Sequence, residues 1–153
     1  MSGEVQLATG LTVRGGMLLL VASAYPSHEQ PLWNLPGGRQ RAGELLRDTL
    51  EREVREETGL KAGIADLAYV SESYDGDLHV INTTFEMSVS GTLCIPTSGD
   101  HIVGARWCAI ADIETLIAVD VVRLPLLHYL HYGRRYRGFA EAGITIRWPE
   151  DGT

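Results

Sequence analysis

The segment from residue 36 to residue 60 constrains this chain more than any other. Pro36-Gly37-Gly38 breaks regular structure, and the residues that follow hold one helical register. Over residues 44–58, Leu46, Leu50 and Val54 recur at four-residue spacing, a narrow apolar stripe on a charged cylinder. Gly59 then supplies the left-handed residue that commonly ends a helix. Glu53, Glu56 and Glu57 stand at i, i+3 and i+4, so the helix gathers their carboxylates on one edge. At about 100° per residue, Glu53 and Glu57 fall within roughly 60° of the stripe's centre, and Glu56 lies about 120° away. Two of the three acids therefore border the buried face.

That placement has a cost. Like charges at i, i+4 destabilise an exposed helix by about 0.2–0.5 kcal/mol. Two carboxylates about 5 Å apart repel by roughly 3 kcal/mol at an effective dielectric near 20. A hard divalent cation such as Mg²⁺ removes the penalty, because it prefers oxygen ligands and is shared readily with substrate phosphates. The competing reading is a solvated face laced by ion pairs to Arg52 and Arg55. The helix alone leaves both open.

Around this helix the chain reads as strands. Residues 5–13 are strand-like, Arg14-Gly15-Gly16 is a turn, and Met17-Leu18-Leu19-Leu20-Val21 is a buried strand, together suggesting a hairpin. Pro26 and Pro31 break a surface loop over 23–31, ahead of a short strand in Leu32-Trp33-Asn34-Leu35. Stretches near 66–74 and 78–90 flank Asp75-Gly76-Asp77, a hairpin turn signal. A strand near 102–109, a helical turn over 111–117 and a helix over 120–132 follow, the last requiring Pro125 near its first turn. Ile144-Thr145-Ile146-Arg147-Trp148 alternates as a strand does. The expected fold class is α/β (α+β), with helices packed on a mixed sheet.

Composition narrows the function. The chain of 153 residues fits one domain. No apolar run approaches the roughly 20 residues needed to cross a bilayer, and the start lacks a signal-peptide pattern, so a cytoplasmic, unexported protein is expected. A formal net charge of −7 argues against a nucleic-acid partner, though not against small phosphate esters held through a cation. Cys94 and Cys108 show no metal or redox spacing and read as buried free thiols. None of the five histidines forms a convincing ligand pair.

The segment resembles the box of the Nudix (MutT-like) hydrolases. That box is Gly, five residues, Glu, seven residues, Arg-Glu, an aliphatic, any residue, Glu-Glu, any residue, Gly and an aliphatic. Here Gly38, Glu44, Arg52, Glu53, Val54, Glu56, Glu57, Gly59 and Leu60 fill it without mismatch, after a typical Leu35-Pro36-Gly37 lead-in. The resemblance implies a Nudix fold, a mixed sheet sandwiched between helices, with a domain over 1–133. Residues 134–153 would be a C-terminal extension, its strand packed on the domain or in a homodimer. It implies Mg²⁺, with Mn²⁺ as an alternative, held by Glu53, Glu56, Glu57 and the Gly37 carbonyl. Glu53 and Glu56 would be catalytic, Glu53 orienting or deprotonating the attacking water. Gly38, Glu44, Arg52 and Gly59 would give structural support.

The implied activity is pyrophosphohydrolysis of a nucleoside di- or triphosphate derivative, releasing a nucleoside monophosphate. Alternatives are a non-catalytic nucleotide-binding module, or hydrolysis of an ADP-sugar or dinucleoside polyphosphate. An extra acid from outside the box would be Asp100 or Glu86. The chain departs from the family pattern at Gly104, where members often carry Glu. The basic, aromatic stretch Tyr132-Gly133-Arg134-Arg135-Tyr136-Arg137 reads as a solvated helix end, its arginines countering the dipole.

Overall fold

The computed structural model describes residues 3–95 and 101–141. Its strands are β1 (Gly3–Leu11), β2 (Val13–Arg14), β3 (Met17–Ser23), β4 (Leu32–Asn34), β5 (Gly37–Arg39), β6 (Lys61–Asp75), β7 (Leu78–Ser90), β8 (Ile102–Ala109) and β9 (Tyr136–Phe139). The helices are α1 (Leu46–Thr58), α2 (Ile113–Leu116) and α3 (Asp120–Tyr132), with a 3₁₀ turn over Ile110–Asp112. The α+β class holds, but the strands divide into two sheets. One runs β5-β1-β7-β6-β9, and in the other β3 carries β2 and β4 on one side and β8 on the opposite side.

Helix α1 begins at Leu46, two residues later than its periodicity suggests, because the Asp48 carboxylate accepts the Leu45 N–H at 2.9 Å and fixes the first turn. Its stripe is buried as expected: Leu50 and Val54 are fully enclosed against Ala8, Ala62, Met87 and Val89 of the larger sheet and Leu19 of the smaller. A second core joins Leu126 of α3 with Ile113, Ile117, Leu11, Leu18, Leu20 and Tyr69. The strands thus lie between α1 on one side and α2–α3 on the other.

Three expectations need correction. The Gly15-Gly16 hairpin exists, but only Val13 and Arg14 pair with Leu18 and Met17. Residues before it leave for the other sheet, where β1 runs parallel to β7 from Gly3↔Leu78 to Leu11↔Glu86. Pro125 lies inside α3, beyond its first turn. Cys94 is exposed, whereas Cys108 is buried as expected; the Cys94 N–H bonds to the Thr58 carbonyl at 2.8 Å, at the open end of α1. The strand expected at 144–148 lies outside the described residues.

Strand β6 is the irregular element. Its register against β7 slips between Ile64 and Asp66 and again between Leu67 and Tyr69, each slip adding one residue to β6. Such bulges bend a strand and re-aim its side chains.

Leu50→Ala should cost about 2–5 kcal/mol in urea unfolding, since this fully enclosed side chain would leave a cavity. Leu45→Ala, at a side chain 59% exposed, should stay within about 0.5 kcal/mol.

Candidate functional site

Two contacts fold the loop ahead of α1 onto the helix. Arg52 reaches Glu44 twice, Nε to Oε2 at 2.7 Å and Nη2 to Oε1 at 3.0 Å, a two-pronged guanidinium–carboxylate pair. Glu44 also accepts from the Arg41 N–H and the Thr49 hydroxyl, both at 2.9 Å. The Arg52 guanidinium, with these donors beside it, holds the Glu44 carboxyl down at about 2. Arg52 donates further to the Arg39 carbonyl at 3.1 Å. At the other end of the helix, the Gly37 N–H donates to Glu57 Oε1 at 2.9 Å.

The acids take graded positions. Glu57 is 3% exposed. Glu53 is mostly enclosed, 2.7 Å from Arg52 Nη1, and Glu56 is the outermost, 3.4 Å from the same nitrogen. Among the described residues, no three acidic, histidine or cysteine side chains close into a ligand cluster as they stand. The physical reason is plain: like charges on one helix edge separate toward the nearest donors, here Arg52 and the Gly37 N–H. A small rotation of long side chains brings carboxylates at this spacing back together.

Gly37 and Gly38 leave room that side chains would fill. At Gly38, a Cβ would sit 2.5 Å from the Glu53 carboxyl carbon, so the absent side chain opens space for that carboxylate against β5. At Gly37, φ is +149°, and a Cβ would sit 2.1 Å from the Ala8 carbonyl oxygen. A lining of hard oxygen donors, half-buried at a helix edge beside glycine backbone, fits Mg²⁺ chemistry.

A cleft of about 490 Å³, open solvent at its mouth included, begins where this loop ends. Leu35 and Asn34 form one wall, Leu7 and Thr9 of β1 the next, and Tyr69, Ser71 and Asn82 of β6 and β7 the floor. Thr9 pairs with Gly37 across β1 and β5, so cleft and acidic edge share a border. The floor is tied together: Thr9 donates to Asn82 Oδ1 at 3.0 Å and meets Thr84 at 2.8 Å, while Asn82 Nδ2 donates to Thr84 at 3.1 Å. Asn34 Oδ1 accepts the Leu35 N–H at 2.6 Å, which engages the carbonyl end of its amide. Burial pushes the Tyr25 phenol up, and the charge of nearby Glu57 adds to this.

Of the two acids considered outside the box, Asp100 lies outside the described residues. Glu86 takes the Tyr129 hydroxyl from α3 and does not join the acidic edge of α1. Sequence reasoning missed the cleft residues Thr9, Asn34 and Asn82. They are ordinary polar strand residues until the pairing is known, and only the register places them side by side. The arginine tail also reads differently: Arg135 donates to the Leu67 and Ala68 carbonyls on β6 and does not serve the end of α3.

Residues 5–130 match the NUDIX domain. A protein of Mycobacterium tuberculosis, provisionally named 8-oxo-dGTP diphosphatase 2, is 38% identical over 78 residues, covering 51% of this chain and 53% of that protein. The chain thus spans about half the length of that relative. A Bacillus subtilis protein, provisionally named 8-oxo-dGTP diphosphatase, is 32% identical over 123 residues, covering 76% of this chain and 72% of its own. Among solved structures, the MutT protein of Bacillus halodurans superposes with a TM-score of 0.74 at 19% identity, covering 94% of this chain and 95% of its own. The MutT protein of Methanosarcina mazei gives 0.73 at 22% identity, with coverages of 88% and 98%.

Glu44→Gln should weaken folding at pH 7. A carboxyl held near 2 stabilises the fold above its ordinary value of 4.5 and loses that contribution as pH falls through about 2. Urea melts of the two proteins should therefore differ by a constant amount above about pH 5, the gap closing as pH falls toward 2. Gly37→Ala should destabilise by more than about 1 kcal/mol, because it meets backbone at an unfavourable φ. Gly38→Ala should cost less, since the flexible Glu53 side chain can move away.

Proposed function

The chain belongs to the Nudix family, and from that premise we propose that it hydrolyses a diphosphate bond in a nucleoside triphosphate, releasing a nucleoside monophosphate and pyrophosphate. The observation that carries this reading is the shared border between the acidic edge of α1 and the cleft. A nucleoside in the cleft would extend its phosphates past Gly37 onto Glu53, Glu56 and Glu57.

Those three carboxylates, with the Gly37 carbonyl, would hold Mg²⁺, with Mn²⁺ as a substitute. The bound cation supplies neutralisation of phosphate charge and acidification of water. The remaining work falls to the chain. Glu53 would take the proton of the attacking water, and Glu56, the outermost acid, would help to orient it. Glu57, anchored by the Gly37 N–H, keeps the loop in register with the helix. Glu44 and Arg52 act behind them, fixing the guanidinium that steadies Glu53 and Glu56. Outer partners of this kind typically govern about 10–100-fold in metal affinity or activity.

The cleft supports a nucleoside as the recognised group. Leu7, Leu35 and Val80 give it apolar surface, and its floor sets the Tyr69 ring beside a fixed polar array. Asn34 lines the cleft with its amide oxygen engaged by the Leu35 N–H, and an NH₂ donor there suits a carbonyl acceptor on a base, which agrees with a 6-oxopurine such as the one in the relatives' names.

Incubation with a panel of nucleoside triphosphates and Mg²⁺, reading pyrophosphate release, tests this. Turnover should vanish with chelator and fall by at least about 100-fold in Glu57→Gln, and by about 10–100-fold in Arg52→Gln. Asn34→Ala should raise KM for 6-oxopurine substrates more than for 6-amino ones. Unchanged turnover in Glu57→Gln would overturn the assignment of the acids.

A further inference from the structure

The second bulge of β6 decides which residues of that strand line the cleft. Against β7 the pairing passes from Leu67↔Phe85 directly to Tyr69↔Thr84, so Ala68 is an extra residue. A slip of one residue turns every side chain beyond it to the opposite face. With the bulge in place, the buried Tyr69, Ser71 and Ser73 line the cleft, with Asn82 opposite Ser71 and Val80 opposite Ser73, and the half-buried Glu72 borders it. Without it, Val70 and Glu72 would take the positions opposite Asn82 and Val80, turning the Glu72 side chain from the border toward the floor.

A bulge disrupts its ladder, and its carbonyls need other donors. Arg135 provides them: Nη2 donates to the Leu67 carbonyl at 2.8 Å and Nε to the Ala68 carbonyl at 3.0 Å. The Val70 N–H returns a bond to the Arg135 carbonyl at 3.0 Å. The clasp then continues as β9, parallel to β6 from Val70↔Tyr136 to Ser73↔Phe139. Tyr136 donates its hydroxyl to one Glu72 oxygen, and His79 Nε2 meets the other at 2.7 Å, so two partners fix that carboxylate at the border. Tyr69, 3% exposed, packs its ring 5.4 Å from that of Tyr129 on α3. Arg135 and β9 all lie past residue 130, where the NUDIX match ends.

We propose that Arg135 is a positioning residue for substrate selection, bracketing the Ala68 bulge so that Tyr69, Ser71 and Ser73 present the cleft floor to the bound nucleoside. The inference rests on the nucleotide reading of the site. It assigns to the C-terminal strand a part in affinity that the acidic helix does not have. The planar fork of arginine matters, since a lysine ammonium is a point donor and cannot bracket two successive carbonyls in the same way.

The test uses Arg135→Gln and Arg135→Lys in the full chain. KM for the preferred nucleoside triphosphate should rise roughly tenfold, the size of one lost hydrogen bond's worth of order, with kcat within about twofold. Lysine should not restore KM. The Cζ resonance of Tyr69 in tyrosine-labelled protein should move in both variants, while those of Tyr25 and Tyr74 stay in place. A lowered Tm with unchanged KM would overturn the proposal, leaving Arg135 a sheet-edge staple. An unmoved Tyr69 resonance in folded Arg135→Lys would overturn it equally. Should the unmodified protein turn over no nucleotide, the hydrolase reading fails, and the Tyr69 resonance alone decides whether Arg135 holds the bulge.

Discussion

The ion pair between Glu44 and Arg52 ties a glycine loop to a helix that would otherwise repel its own acids. Arg52 spends its donors on Glu44, Glu53, Glu56 and the Arg39 carbonyl, so one guanidinium fixes both the loop and the outer acids. The Gly37 N–H does the same for Glu57 from the other side. These anchors fix loop and helix through backbone and one half-buried guanidinium, so the carboxylates reach a shared ligand by side-chain rotation on a set frame. Preorganisation of this kind is where a site that relies on charge gains most.

The rest of the fold delivers that loop to a cleft. Strand β1 pairs with β5 on one edge and with β7 on the other, so the register that places Gly37 beside Thr9 also places Thr9 beside Thr84. Acidic edge and polar floor are thereby fixed by the same strand. The clasp of Arg135 onto β6 extends this logic to the far wall, where local irregularity, and not regular alternation, selects the side chains that face inward.

The site and the fold were not equally legible in the sequence. The helix, its apolar stripe and the spacing of its acids were readable because periodicity within one helix is a local property. Leu50 and Val54 are buried, and Glu57 lies deeper than Glu56, as angular position alone suggests. Pairing between strands was not readable. Nothing local tells residues 3–11 to leave the hairpin at Gly15-Gly16 and run parallel to β7, and nothing in Leu67-Ala68-Tyr69 announces a bulge. Thr9, Asn34 and Asn82 carry no local signal for that reason. Arg135 looks like a helix-end charge in the sequence because its partners lie 67 and 68 residues away in the chain.

Under the proposed function, Glu53, Glu56 and Glu57 hold a hard cation beside Gly37. Substoichiometric Mn²⁺ added to ¹⁵N-labelled protein tests it directly, because paramagnetic broadening falls off steeply with distance from the ion. Amides of Gly37, Gly38, Glu53, Glu56 and Glu57 should broaden first, excess Mg²⁺ should restore them, and Glu57→Gln should abolish the effect. Broadening centred elsewhere, or spread evenly over the acidic surface, would contradict it.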